Sequence, residues 1–214
     1  MKIAGIDEAG KGPVIGPMCV AGVMVGEEEL SMIEELGVKD SKSLSPKRRE
    51  FLAGEIEKIA EIFLLEVTAS QIDELRKGMT MNDIAVASFA KVLGELHPDK
   101  AFVDAVDVKP ERFGLNIKSR CQFHLEIVSE HKSDKKYPIV SAASIVAKVR
   151  RDQRINELEG SIGRKIGSGY PSDPKTRNFL KKLVEEDEEL PNYIRNSWKT
   201  VDNLKESSSY EKLI

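Results

Sequence analysis

The sequence has little cysteine and few aromatic residues. Only two of its 214 residues are cysteine, and Phe, Trp and Tyr together make up 6%. Cys19 and Cys121 both lie in apolar stretches, so neither a disulfide framework nor a thiolate zinc site is predicted, and a reducing cytoplasm is the expected location. There is no apolar run of about 18 residues and no secretory signal pattern, so no membrane association is expected.

The chain also lacks a strong net charge. Its formal charge of −3 does not by itself suggest a polyanionic partner. The charge is unevenly distributed, however, because residues 131–182 hold thirteen Lys or Arg and five Asp or Glu, a local balance of +8 that leaves −11 for the rest. This asymmetry is typical of a nucleic-acid-binding face, although a solvated helical surface explains it about equally well.

The hydrophobic pattern predicts strands and helices in alternation, followed by a helical C-terminal third. Strands are expected over 2–8, 14–25, 61–67, 101–106 and 122–128. Helices are expected over 28–36, 46–60, 70–77, 81–96, 141–158 and 175–187, the second of them with Ser45 as N-cap and Pro46 in its first turn. This order favours an α/β domain over 1–200 whose helical region begins near 140, with a tail over 201–214.

Four acidic residues stand at positions typical of a ligand site. Asp7 and Glu8 end the first apolar strand, and Asp104 ends the apolar run 101–103. The carboxyl ends of strands border the crevice in which open α/β sheets hold ligands. Asp134 precedes a predicted helix, where the helix dipole favours a carboxylate even without a ligand. Carboxylates that converge from separate points repel one another unless a cation lies among them, and Mg²⁺ and Mn²⁺ prefer such oxygen ligands.

Three further segments suggest contacts with a phosphate or a base. Gly10, Lys11 and Gly12 form a loop that matches neither common nucleotide-binding pattern; its amides and cation could approach a ligand, but a tight hairpin is the simpler explanation. Ser41 and Lys42 could bind phosphate, and helix capping explains them almost as well. Tyr170 lies between glycines and a proline in a basic region, where it could stack on a base or pack against its own domain.

The order of these motifs resembles that of the type 2 ribonucleases H, specifically the archaeal ribonuclease HII family. The segments that carry the resemblance are GIDEAGKGPVIGPM, DSKSL, AFVDAVD, HKSDKKYPIVSAASIVAKVRRD and GSGYPSDPKT. It runs from Met1 to about Thr200, where NSWKT also matches, and does not cover the last residues. The resemblance implies a ribonuclease H-like fold, with a central mixed five-stranded sheet flanked by helices and a helical C-terminal region.

The resemblance also implies an activity and a set of site residues. The family contains endonucleases that hydrolyse the RNA strand of RNA–DNA hybrids and incise at single ribonucleotides in duplex DNA, leaving a 5′-phosphate and a 3′-hydroxyl. Its catalytic, metal-binding acids match Asp7, Glu8, Asp104 and Asp134, which are expected to hold Mg²⁺ or Mn²⁺, two ions during catalysis.

Its substrate contacts match the remaining motif residues, namely Gly10, Lys11, Gly12, Ser41, Lys42 and Tyr170. The glycine amides are expected to meet the ribose 2′-hydroxyl, which distinguishes RNA from DNA. Lys11 stands where the family commonly has arginine, which keeps the charge but loses the planar fork.

Two alternatives belong to other functional classes. A phosphotransferase of the actin and sugar-kinase kind also opens with a strand, an acid and a glycine turn, but its loop usually carries Ser or Thr where Lys11 stands. A non-catalytic hybrid-binding protein would not need four acids.

A monomer is expected, and because SSSYEKLI contains no clear sliding-clamp peptide, no clamp contact is predicted.

Overall fold

Five strands form one mixed sheet in the computed structural model, which describes residues 1–38, 44–186 and 189–211, with side chains as far as Ser207. The strands are β1 (Lys2–Ala9), β2 (Met18–Gly26), β3 (Glu61–Val67), β4 (Lys100–Asp104) and β5 (Glu126–Glu130), in the spatial order β3-β2-β1-β4-β5. The pair β1–β2 is antiparallel, whereas β1–β4 and β4–β5 are parallel. The predicted five-stranded mixed sheet is therefore confirmed.

Nine α-helices accompany the sheet in the described ranges. They are α1 (Leu30–Glu35), α2 (Pro46–Ile59), α3 (Ala69–Arg76), α4 (Met81–Leu96), α5 (Pro110–Lys118), α6 (Ser133–Lys136), α7 (Pro138–Ile162), α8 (Pro174–Glu186) and α9 (Lys199–Glu211). A 3₁₀ turn, Glu27–Glu29, precedes α1. No helix of these ranges is both long enough and apolar enough to cross a bilayer.

Local signals explain where several helices begin. Ser45 accepts a hydrogen bond from the Arg48 amide at 3.3 Å at the start of α2, and Pro46 occupies the first helical position. Thr68 and Thr80 each form a capping box at the start of α3 and α4, which satisfies amides that a helix leaves without partners. These polar residues fix the boundaries that the sequence predicts.

The chain divides into two compact units. The first contains residues 1–9, 19–66 and 80–150 and includes the sheet. In its core, Val140 and Ala143 of α7 pack with Val23 of β2. Gly5 permits this close packing, because a Cβ atom there would collide with the backbone of Ile139.

The second unit contains residues 10–18, 67–79 and the chain from 151 onward. Its core is a separate hydrophobic cluster that includes Ile15, Leu180 and Val201, all fully buried. Val201 belongs to α9, and Leu204 packs partly buried against the same cluster. The tail over 201–214 stays a prediction, but the chain is helical there as far as Glu211, and these two apolar side chains, one helical turn apart, pack in the core of the unit.

Several other elements differ from the sequence prediction, among them β2, which begins at Met18 rather than 14. Strand β5 begins at Glu126 rather than 122, since it pairs with β4 only from the Lys100–Glu126 pair onward. Helix α5 was not predicted, although Phe113 and Ile117 are buried four residues apart on one face. Its many polar residues obscured a short amphipathic pattern that could have been found.

Candidate active site

Asp7 and Asp104 lie at the carboxyl ends of adjacent parallel strands. The registered pair Ile6–Val103 directly precedes both acids, so the sheet places Asp7 of β1 beside Asp104 of β4. Asp7 is 6% exposed, and Glu8 and Asp104 are half-buried. The sheet therefore brings acids from two distant parts of the sequence to one edge, as the sequence predicts for a ligand site.

The electrostatics of this edge are unfavourable to the charged form of Asp7. Burial raises its pKa well above the ordinary value, and the neighbouring carboxylates of Glu8 and Asp104 raise the pKa further. The Glu8 amide donates a hydrogen bond to Asp7 Oδ1 at 2.7 Å, and the Ser144 side chain also bonds the carboxyl; both oppose the rise. Ionised Asp7 is thus held by two hydrogen bonds in a site that repels negative charge.

Asp134 joins this edge through its neighbour Ser133. It lies on the short helix α6 and is 4% exposed. The Ser133 amide donates to Asp104 Oδ1 at 2.8 Å, and the Ser133 hydroxyl donates to the Glu130 carbonyl at 3.1 Å. The structure therefore ties the position of Asp134 to that of Asp104, on a helix of its own that the sequence analysis did not predict.

The acids do not form a closed metal cage. In the part of the chain that the structure describes, no three Asp, Glu, His or Cys side chains are close enough together to hold an ion. The donor set nevertheless fits a hard divalent cation: Asp7, Glu8 and Asp104 offer only carboxylate oxygens, and their mutual repulsion is what a cation relieves.

The glycine loop belongs to the second unit. Gly10 has a φ of +95°, which favours glycine, and a Cβ there would lie 2.6 Å from the Pro17 carbonyl oxygen. The buried Arg195 donates to the carbonyl oxygens of Gly10 at 2.6 Å and Lys11 at 2.9 Å. The loop is therefore held on its carbonyl side by a residue far along the chain.

Tyr170 is fastened to the same unit by backbone bonds. The amides of Val14 and Ile15 donate to the Gly169 carbonyl at 2.8 and 3.2 Å. Arg151 donates to the Ser168 carbonyl at 2.8 Å, and its guanidinium carbon lies 5.3 Å from the centre of the Tyr170 ring. The ring itself is 39% exposed, so an aromatic face is presented on a rigid loop.

The positive charge of residues 131–182 suggests that their side chains contact phosphates, and the structure corrects this suggestion for Arg151. Arg151 is only 2% exposed and lies against Tyr170, and Arg150 forms an ion pair with Glu66. Arg151 is therefore not an exposed phosphate contact, and Arg150 already has a carboxylate partner. The second unit instead has a cavity of about 490 Å³ lined by Arg164, Lys165, Lys175, Asn178, Phe179, Lys182 and Glu186.

The other predicted site residues stay predictions, and the structure describes only some of them. Ser41 and Lys42 lie outside the described residues. Gly12 is exposed, and a Cβ built on it would meet only Tyr170, at 3.6 Å from Cε1. Arg195 was missed because an isolated arginine in a polar segment carries no periodic signal; only its place beside the NSWKT motif could have drawn attention to it.

Comparison with known proteins points to one family. The family model for "Ribonuclease HII" matches residues 4–201. A ribonuclease HII from Methanosarcina barkeri is 54% identical over 215 residues, covering 96% of each chain. The similarity therefore spans the whole catalytic region predicted from the motifs.

Solved structures agree with this similarity. A ribonuclease H2 from Pyrococcus horikoshii matches with a TM-score of 0.91 and 40% identity, covering 98% of this chain and 99% of the other. Ribonuclease HII of Archaeoglobus fulgidus, solved in complex with PCNA, matches with a TM-score of 0.86 and 45% identity over 95% and 96% of the two chains. The expectation that no clamp contact exists finds no support in the Archaeoglobus complex.

Proposed function

The chain belongs to the ribonuclease HII family, and from that premise we propose that it also incises duplex DNA at single embedded ribonucleotides. As a member of this family it is a ribonuclease H, an endonuclease that acts on the RNA strand of RNA–DNA hybrids. Family membership excludes the phosphotransferase and the non-catalytic binding protein considered above. The buried Asp7, whose pKa is raised by burial and by Glu8 and Asp104, is the observation that supports metal-assisted hydrolysis. The exposed Gly12 beside Tyr170 is the observation that supports action at a single ribonucleotide.

The four acids are proposed to hold divalent cations, Mg²⁺ or Mn²⁺, two of them during catalysis. Asp7 is assigned the central position because it is buried and lies beside both Glu8 and Asp104, whose charges raise its pKa. Glu8 and Asp104 are the two carboxylates beside Asp7, and Asp134 is positioned through Ser133. Bound ions would supply Lewis-acid activation of water and charge stabilisation in the transition state.

The residues of the chain determine how the reacting groups are held. The hydrogen bonds to Asp7 from Glu8 and Ser144 orient its carboxylate, and the bond from Ser133 orients that of Asp104. In the proposed hydrolysis, water oxygen forms a bond to phosphorus while the bond from phosphorus to the 3′-oxygen breaks. The products are a 5′-phosphate and a 3′-hydroxyl, and the proton lost by water is balanced by the one gained at the 3′-oxygen.

Recognition of the ribose is proposed for the second unit. The amides of Lys11 and Gly12 are the candidates for contact with the 2′-hydroxyl, since Gly12 is exposed and leaves room for a ligand. Tyr170 is the candidate for stacking at the junction between ribonucleotide and DNA. Ser41 and Lys42 remain predicted phosphate contacts.

The duplex is proposed to be held mainly by phosphate contacts without base readout. The cavity lined by Lys175 and Lys182 supports this, because its charged groups are mostly positive and exposed. Substrates of this kind are the RNA–DNA hybrid and ribonucleotide-containing DNA duplex, bound by a monomer.

A cleavage assay tests the proposed function. The substrate is a DNA duplex with one ribonucleotide, incubated with Mg²⁺ or Mn²⁺ and, in parallel, with EDTA. We expect one incision at the ribonucleotide, with a 5′-phosphate and a 3′-hydroxyl, only when the metal is present. Cleavage of a uniform hybrid together with an intact single-ribonucleotide duplex would confine the enzyme to hybrids, and cleavage in EDTA would contradict the metal assignment.

A further inference from the structure

The carbonyl groups of the glycine loop converge on one buried guanidinium. Arg195 is fully buried and donates three hydrogen bonds: from Nη2 to Gly10 at 2.6 Å, from Nη1 to Lys11 at 2.9 Å and from Nε to Gly16 at 3.0 Å. Arginine presents its donors in a fixed planar fork, so these three oxygens are held at set positions relative to one another. A lysine ammonium has no such fork.

Trp198 extends the same contact to the next residue of the loop. Its Nε1 donates to the Gly12 carbonyl at 3.1 Å, and the guanidinium carbon of Arg195 lies 4.8 Å from the centre of its ring. The segment is itself anchored, because the Asp73 carboxylate accepts bonds from the Asn196 amide at 2.7 Å and the Ser197 amide at 3.0 Å. The support of the loop is therefore rigid back to α3.

This arrangement determines where the loop amides point. In a planar trans peptide the carbonyl and the following N–H point in opposite directions. The carbonyls of Gly10 and Lys11 point to Arg195, so the amides of Lys11 and Gly12 point away from it. Gly12 is exposed, and its Cβ position lies 3.6 Å from the Tyr170 ring. The two amides thus lie on the side of the loop opposite the guanidinium.

We infer that Arg195, assisted by Trp198, is a positioning residue that holds the Lys11 and Gly12 amides in place for recognition of the ribose 2′-hydroxyl. The inference rests on the proposed recognition of ribose by this loop. Arg195 touches no substrate in this assignment; it acts through the carbonyl groups that it binds. Its substitution should therefore impair the distinction between ribose and deoxyribose more than it impairs general binding of the duplex.

The test compares two equilibrium affinities for each variant. Fluorescence anisotropy in EDTA, where no strand is cut, measures binding to a DNA duplex with one ribonucleotide and to the same duplex with deoxyribose at that position. The ratio of the two affinities is the readout. Arg195→Lys keeps the charge and removes the fork. Trp198→Phe keeps the ring and removes the donor to Gly12, so it serves as the second variant if Arg195→Lys does not fold.

A control separates positioning from general stability. Leu183→Ala opens the hydrophobic cluster of the second unit without touching the loop, since Leu183 is a buried member of that cluster. We expect the control to lower the melting temperature and to keep the wild-type affinity ratio. A structural role alone would affect Arg195→Lys in the same way as this control.

We expect the ratio for Arg195→Lys to fall about fivefold to tenfold towards one, the effect of roughly one net hydrogen bond, with unchanged affinity for the all-DNA duplex. Trp198→Phe should change it in the same direction and by less. If each of these two variants that folds keeps the wild-type ratio, the inference is overturned while the proposed function stays intact. A ratio of one in the wild-type protein would overturn the proposed ribose recognition itself, and the inference with it.

Discussion

Residues 7–8 and residues 10–12 are close neighbours in the sequence, but their polar groups are in opposite situations. The Asp7 carboxyl is buried beside Glu8 and Asp104, all of like charge, and its pKa is raised for that reason. The carbonyl groups of Gly10, Lys11 and Gly12 are each paired with a donor from Arg195 or Trp198. The Asp7 carboxyl therefore lies among like charges, whereas each carbonyl group of the loop has a hydrogen-bond donor from the chain.

The difference indicates that the two regions have different functions. A cation is the natural complement of repelling carboxylates, so the strand end is suited to metal-assisted chemistry. A loop whose carbonyls are already satisfied keeps its shape before substrate arrives, which reduces the entropy lost on binding.

The largest effect is expected from Asp7→Asn. Loss of the central carboxylate should lower the cleavage rate about a thousandfold or more, because metal charge stabilisation is worth several kcal/mol. Single-turnover cleavage of an RNA–DNA hybrid in Mg²⁺ measures the rate, and hybrid binding should survive. Asp99→Asn is the matched control, since that exposed acid directly precedes β4 at its other end. Wild-type turnover by folded Asp7→Asn would refute the metal site.

Two glycine substitutions test whether the loop is preformed. Gly10→Ala should destabilise the protein by about 1–3 kcal/mol, because the positive φ disfavours a side chain and the new Cβ meets the Pro17 carbonyl. Gly12→Ala should leave the melting temperature unchanged, since its Cβ meets only Tyr170 at an ordinary distance. Any loss of ribonucleotide cleavage in Gly12→Ala then reports on the approach of substrate. Equal melting temperatures for both variants would contradict a strained, preformed loop.

A smaller effect on cleavage is expected from substitution of Tyr170, which also belongs to the second unit. Tyr170→Ala should weaken the single-ribonucleotide reaction by the equivalent of ~1–3 kcal/mol, the value of one stacked base, and Tyr170→Phe by less. The uniform hybrid should be affected less by either change, because it does not depend on one junction. Steady-state kinetics of both variants on both substrates give the comparison. Small, equal losses everywhere would mean that the ring only packs its loop.

The smallest effect is expected from the basic cavity. Charge reversal of Lys175 or Lys182 should lower duplex affinity and reduce the slope of log affinity against log salt by roughly 0.9 for each phosphate that the variant no longer neutralises. Lys58→Glu is the control, since Lys58 lies on α2 in the first unit and is itself exposed. The same slope in the cavity variants and in the control would remove the duplex-binding role assigned to this surface.

The sequence predicts the acids better than it predicts their surroundings. The strand ends at Asp7 and Asp104 follow from short-range hydrophobic patterns, and β1 and β4 then bring the two acids together. The burial that raises the pKa of Asp7 depends on distant parts of the chain, and so does the hydrogen bond from Ser144 of α7 that opposes the rise. No local pattern contains that information.

The support of the glycine loop could not be predicted from local patterns either. Arg195 lies more than 180 residues from Gly10, and a lone arginine has no periodicity to mark it as buried. Charge counting led in the wrong direction for Arg151, since summed charge does not separate a buried guanidinium from a phosphate contact. Helix α9 was missed because its Ser-rich sequence has weak helix propensity, and only packing of Val201 reveals it.

The raised pKa of Asp7 also has a consequence for stability. The folded protein binds more protons than the unfolded chain between the ordinary carboxyl pKa and the raised one. The contribution of Asp7 to stability therefore falls as pH rises through that interval and stays low at neutral pH. A bound cation, or substitution of Asp7 by an uncharged residue, should restore the stability that the ionised carboxyl removes.

Thermal unfolding at neutral pH tests this account most directly, with the wild type and Asp7→Asn each measured in EDTA and in Mn²⁺. In EDTA we expect Asp7→Asn to melt above the wild type, because the uncharged amide removes the repulsion from Glu8 and Asp104. Mn²⁺ should raise the wild-type midpoint and leave that of the variant almost unchanged. A cation site built on repelling carboxylates would be contradicted if Asp7→Asn melted below the wild type in EDTA and if Mn²⁺ raised its melting temperature as much as that of the wild type.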